Sequence, residues 1–292
     1  MSETVEADTG SQETTGKGRG LAGRLWRLPL LPLLIVLVVA VCAIGADLIA
    51  PFDPGRQSLR DFLLPPSHAH LFGTDALGRD VFSRVVHGAR VTMIVGLASV
   101  LLAGVIGVAL GLISAVARPT IGEAIMRLVD TVLTLPAVLV ALSVAATVGP
   151  SLINVILIIG CLYWAYFARM VRAEALMLRE KDFVQAAISI GCSPFRLVLV
   201  HLAPNLMNTV IVVGTLQLAS AILLESTLSF LGVGVPPPAV TWGTMVAEAR
   251  PYVSIAWWTV TLPGLAIMAT VLATNLLGDR LRDALDPRLR GR

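Results

Sequence analysis

The chain has 292 residues, of which 56% are hydrophobic and 14% charged, with a formal net charge of +3. A soluble domain carries about 25% charged residues because its surface must be solvated, so this composition excludes an ordinary globular protein. The slight basic excess gives no nucleic-acid footprint, and one helical crossing of a bilayer takes about 20 apolar residues. An all-α integral membrane protein with several crossings in a lipid bilayer is expected.

Residues 1–27 begin with a Ser-, Thr-, Gly- and acid-rich stretch and read as a disordered cytoplasmic tail. The first apolar run, 28–49, is too long and lacks a clear small-residue cleavage site for a signal peptide. It reads as an uncleaved first crossing (28–50), ended by Pro51 and Pro54. An external loop follows over 51–90, with its last residues, 80–90, as an alternative interfacial helix. The core of five further crossings is expected over 91–278. Its first run, 91–117, is free of formal charge between Arg90 and Arg118. The uncharged stretch between Asp130 and Arg169 is too long for one crossing, and Gly149-Pro150-Ser151 supplies a turn, so it reads as a helical hairpin. The last two crossings are expected over 207–224 and 252–278, leaving 279–292 as a second cytoplasmic tail.

Six crossings put both termini on one side. With the termini inside, only Arg56, Arg60, Arg79, Arg84, Arg90 and Arg250 of the 22 basic residues lie outside. The positive-inside rule therefore places both termini in the cytoplasm. Cys42, Cys161 and Cys192 are scattered with no CxxC pair, and read as packing residues. His68 and His70 form an HxH pair with no nearby third ligand, so no metal site is expected.

The most informative stretch is the charged cytoplasmic loop 169–205. Two helix-like halves are broken at Gly191-Cys192-Ser193-Pro194, where Ser193 can cap the second half and Pro194 suits its first turn. The first half carries Phe183 beside Ala186 and Ala187; the second has Phe195, Leu197, Val198 and Leu199 on an apolar face. Such a compact knob suits the groove of a soluble partner.

Gln185-Ala186-Ala187, Gly191 and His201-Leu202-Ala203-Pro204 resemble the EAA loop of ABC importer permeases in residue type and spacing. Gln185 stands at the usual Glu, His201 at the usual Ile and Ala203 at the usual Leu. LFGTDALGRDVFSRVVHGAR over 71–90 resembles the GTDxxGRD element of the dipeptide, oligopeptide and nickel branch. TLSFLGVGVPPPAVTWGTM over 227–245 and NLLGDRLRDALDPRLR near the end resemble its C-terminal half. Three motifs in order are a specific signal, and they point to the second permease of such a pair. The resemblance implies the core bundle of a type I importer permease in a bacterial or archaeal cytoplasmic membrane. It also implies a sister permease, two cytoplasmic ATPase subunits and an external solute-binding protein. Phe183, Phe195 and Arg196 would be partner contacts, Ala186 and Ala187 would permit close approach, and Gly191 the tight turn. ATP and magnesium would sit on the ATPases. This agrees with the sequence itself, since Lys17 precedes Gly18 and Lys181 precedes Asp182, so no P-loop Gly-Lys-Ser/Thr exists and the chain is read as no enzyme.

Glu225, at the outer end of the fifth crossing, reads equally as pore lining or as a carboxylate bonded to Ser226, Ser229 or a nearby turn. Asn208, Gln217 and Asn275 are further candidates for a translocation path, with interhelical hydrogen bonding the competing role. Trp242, Trp257 and Trp258 are expected to anchor the interface. An ion-coupled secondary transporter would more often show charges near midplane, and an intramembrane enzyme would need a nucleophile or metal motif absent here. Dipeptides, longer peptides, glutathione and nickel chelates are all substrates of the branch.

Overall fold

The computed structural model describes residues 30–285, and the two tails expected at 1–27 and 279–292 fall wholly or partly outside them. The described chain is helical. In order run α1 (Leu30–Ile44), a short α2 (Ala46–Ile49), α3 (Val81–Val116), α4 (Pro119–Thr134), α5 (Ala137–Val148), α6 (Leu152–Arg179) and α7 (Asp182–Ser189). There follow α8 (Pro194–Phe230), α9 (Trp242–Ala249) and α10 (Trp258–Leu285).

Four helices, α3, α6, α8 and α10, are long and apolar enough to cross a membrane, and α4 with α5 makes a fifth span bent by 88°. The expected six crossings are therefore not all met on length. Helix α1 is apolar but has 15 described residues, short of the roughly 20 a crossing takes, and Gly45 breaks it from α2. The bend between α4 and α5 falls at Pro136, which caps α5 and cannot continue the helix before it.

Boundaries moved where polar groups found partners. Helix α3 starts at Val81, ten residues before the expected crossing, because the Asp80 carboxylate accepts from the Ser83 amide (2.8 Å) and caps it. The stretch 80–90 is thus no open loop: it is helical, as the alternative had it, and leads without a break into the crossing as the first three turns of α3. Helix α8 starts at Pro194 and passes through Pro204 unbroken. A π-helical stretch, Leu197–Leu202, lies just before that proline. Its wider turn takes up the clash between a proline ring and the carbonyl four residues back.

The bundle is assembled on α3 and α6. Gly107 of α3 lies so close to α6 that a Cβ there would meet the Trp164 carbonyl at 2.3 Å, and one on Gly111 would meet the Ala168 carbonyl at 2.8 Å. Small residues allow this approach where no hydrophobic driving force between helices exists. Around the contact Val95, Ala103, Ile159, Phe167, Ala221 and Leu228 form the main core.

A second core, at the N-terminal end of α3, gathers Val81, Ala89, Trp242, Met245, Ala256 and Trp258. Trp242 donates from its indole to the Val85 carbonyl (2.8 Å), and Trp258 to that of Thr74 (3.1 Å). Both are buried, so the expected interfacial role holds in exposure only for Trp257, at 57%.

Candidate functional site: a two-helix knob and its polar anchors

The loop expected over 169–205 is shorter than its sequence suggested, because α6 continues to Arg179 and α8 begins at Pro194. What remains is the link Glu180-Lys181, α7 and a four-residue turn. Gly191 sits at φ +83°, a left-handed conformation that favours glycine. Its amide donates to the Ile188 carbonyl (2.9 Å), and that of Cys192 donates to Ala187 (3.0 Å). The Ser193 hydroxyl then accepts from the Arg196 amide at 3.4 Å, with Pro194 in the first turn. Helix end, reversal and helix start are each satisfied within this short span.

The knob has two faces. Val184, Ala187, Leu197, Leu202 and Leu206 are buried against Leu112 and Ala115 of α3 and Val171 and Ala175 of α6. Phe183, Ile190 and Phe195 point away, with exposures of 47%, 86% and 74%. Gln185, Ala186, Gly191, Arg196 and Pro204 are exposed too, while His201 is half-buried. The Ala186–Ala187 pair is therefore split: Ala187 packs inward and only Ala186 is free for a partner. Ile190, the most exposed of these apolar side chains, escaped sequence reasoning, though its place beside a turn glycine was a signal for it.

Gln185 stands where the resembled pattern has Glu, and its geometry accounts for the exchange. Its Nε2 donates to the Arg179 carbonyl (2.8 Å) at the end of α6, a bond that a carboxylate cannot make. Arg179 in turn donates to the Ala115 carbonyl of α3. The Gln185→Glu variant is expected to lose this bond and place negative charge on the last carbonyls of α6, costing about 1 kcal/mol locally. Faster amide hydrogen exchange over 182–189 with unchanged exchange in α3 is the expected reading.

Beside the knob, α3 and α8 enclose an open apolar trough of about 990 Å³, bordered by Leu101, Val105, Phe167, Phe195, Leu199 and Met207. At the opposite end of the bundle the GTDxxGRD element folds into an ionic clamp. Asp75 accepts from Arg79 Nε (2.7 Å) and from Arg84 Nη1 (2.6 Å). Glu248 on α9 accepts from Arg79 (2.6 Å) and from Arg84 (2.9 Å). The Arg84 side chain is 2% exposed. Removing one partner of a buried ion pair costs about 3–5 kcal/mol, because the other charge is stranded. Asp75→Ala leaves Arg84 its bond to Glu248, so a smaller loss of about 1.5–3 kcal/mol, the worth of a hydrogen bond to a charged group, is expected, read as a lower melting temperature of the purified protein and early proteolysis of residues 58–80. His70 joins the same end through its Nδ1, 2.9 Å from Asp80. His68 is exposed, and no metal-binding cluster occurs among the described residues.

The candidate path residues differ in their surroundings. Asn208 is exposed, Asn275 half-buried and Gln217 buried. Glu225 is fully buried and accepts from the hydroxyls of Ser229 (2.7 Å) and Ser226 (3.4 Å).

Residues 107–291 match the family described as the binding-protein-dependent transport system inner membrane component, and the chain belongs to that family. It is a multi-pass membrane permease of the ABC importer class. Among its relatives, the di/tripeptide transport system permease DppC of Pseudomonas aeruginosa is 46% identical over 255 residues, 85% of this chain and 84% of that protein. The probable D,D-dipeptide transport system permease DdpC of Escherichia coli is 41% identical, over 84% of this chain and 82% of its own length. The dipeptide transport system permease DppC of Haemophilus influenzae is 40% identical over 85% and 86%. In fold, the chain is similar to one from an inward-facing structure of the MetNI methionine ABC transporter. The TM-score is 0.58 at 18% identity, over 70% of this chain and 96% of that one.

Proposed function

We propose that the chain is a pore-forming permease subunit of an ATP-driven importer that moves di- or oligopeptides across the cytoplasmic membrane. The observation that carries this reading is the two-faced knob, with apolar groups buried on α3 and α6 and Phe183, Ile190 and Phe195 left outward. An exposed apolar cluster on a fixed base suits a groove on a soluble partner. That partner is an ATPase subunit, two of which work with this chain and a sister permease. ATP closure of the ATPases pushes the knob, and the bundle exchanges between two access states. The solute arrives from an external binding protein, and both termini face the cytoplasm, as the basic residues favour. Catalysis belongs to the ATPases, with ATP and magnesium bound there.

The peptide assignment is supported by relatives whose names specify peptides at 40–46% identity. Its test is competitive uptake of labelled dialanine and longer peptides in a strain lacking this chain. ATP-dependent uptake restored by the wild-type gene is expected. Restoration of nickel or glutathione uptake alone would overturn the peptide assignment, and transport by the purified chain down an ion gradient would overturn the importer reading.

A further inference from the structure

Helix α8 begins inside the knob and ends beside the outer helix α9. Its 37 residues span about 55 Å at 1.5 Å per residue, well beyond the roughly 30 Å hydrocarbon core. The knob and the outer end are therefore two ends of one helix.

At that outer end sits Glu225. A buried carboxyl group is an expensive way to fill space, and an apolar residue of similar shape would do so at lower cost. Its observed partners are hydroxyls: Ser229 at 2.7 Å and Ser226 at 3.4 Å on α8 itself. Ser229 Oγ then accepts from Thr241 Oγ1 at 3.4 Å. Thr241 is the N-cap of α9, closed by a reciprocal capping box with Thr244. The helices also touch directly here, since a Cβ on Gly243 would lie 2.7 Å from the Ser226 backbone. The far end of α9 is Glu248, held by Arg79 and Arg84 of the outer clamp. Helix α9 is thus pinned at one end to α8 and at the other to the GTDxxGRD element.

We infer that Glu225 is a positioning residue for transport, the bolt through which α8 delivers the stroke received at the knob to α9 and the outer clamp. This rests on the importer reading above and adds to it a place where the stroke arrives. Glu225 does not touch solute in this arrangement; it acts through Ser229 and Thr241. A continuous helix joined to both sites, with a discrete contact at its end, is one physical form that such coupling takes.

The test uses the complete importer in lipid nanodiscs. Amide hydrogen exchange is compared with and without ATP plus vanadate, for the wild type, Glu225→Ala, Glu225→Gln and Gly243→Ala. The glutamine variant keeps an acceptor for Ser229, and the Gly243 variant wedges α9 from α8 while leaving Glu225 in place. In the wild type, trapping is expected to alter exchange in the knob, in α9 and over 75–84. In Glu225→Ala and in Gly243→Ala the knob response stays, while the response of α9 and 75–84 falls about ten-fold, within the usual range of coupling between sites. Glu225→Gln restores most of it. If Glu225→Ala fails to assemble, Gly243→Ala decides. A merely structural role would change exchange equally with and without nucleotide. The inference is overturned by an α9 response of wild-type size in both Glu225→Ala and Gly243→Ala, or by none in the wild type. Failure of the ATPase subunits to co-purify with the wild-type chain would instead strike the importer reading.

Discussion

Replacing Gly107 by leucine is expected to prevent the bundle from forming. A Cβ at this position would meet the Trp164 carbonyl at 2.3 Å, the Phe167 Cβ at 2.5 Å and the Ala168 amide at 3.1 Å. Two of those atoms are backbone, so no rotamer change relieves the contact, and α3 and α6 must separate. Overpacking costs about 1–3 kcal/mol where side chains can yield; here the helices that carry the main core cannot. Membranes expressing Gly107→Leu should yield little or no monodisperse protein on fluorescence-detected gel filtration. Gly264, inside α10, is the control: nothing lies within 4 Å of a Cβ there, and Gly264→Leu should elute as the wild type does.

The second large effect is functional. Gly191→Trp is expected to leave a folded, membrane-inserted bundle that no longer transports. The cost within the chain is the left-handed backbone, about 1–2 kcal/mol for a residue with a Cβ. No atom lies within 4 Å of that Cβ, so the indole projects outward from the knob rather than into its packing. It therefore obstructs whatever seats over Ile190 and Phe195, while Val184, Ala187 and Leu197 keep their places. ATP-dependent peptide uptake should fall by at least about ten-fold, with unchanged protein level and gel-filtration profile. Normal uptake by an inserted Gly191→Trp variant would count against the seat.

The apolar runs made α3, α6, α8 and α10 legible, because hydrocarbon leaves a backbone no better option than helix. The knob was legible too: Gly191 marks the reversal and Ser193-Pro194 the new start, all local signals. Long-range polar pairing was not. Arg84 reads as a loop residue by type, and its burial depends on Glu248, 164 residues away. The same holds for Trp242 and Trp258, whose indoles reach carbonyls 157 and 184 residues distant. Pro204 is a local signal that misleads. It closes the loop motif in the sequence, yet a π-helical turn lets α8 continue through it. Glu225 was open between two roles on sequence alone. The hydroxyls that hold it include Ser226 and Ser229, one and four residues ahead, both visible in the sequence; the Thr241 cap behind them required the fold.

Seating of the knob is tested most directly by cysteine crosslinking in a transporting complex. With Cys42, Cys161 and Cys192 replaced, single cysteines at Ile190 and Phe195 should trap an ATPase subunit with a short bifunctional reagent, and nucleotide should change the yield. A cysteine at Leu101, across the trough on α3, should trap none. Failure of both knob positions to reach the ATPase, in preparations that still take up peptide on ATP, would contradict the account.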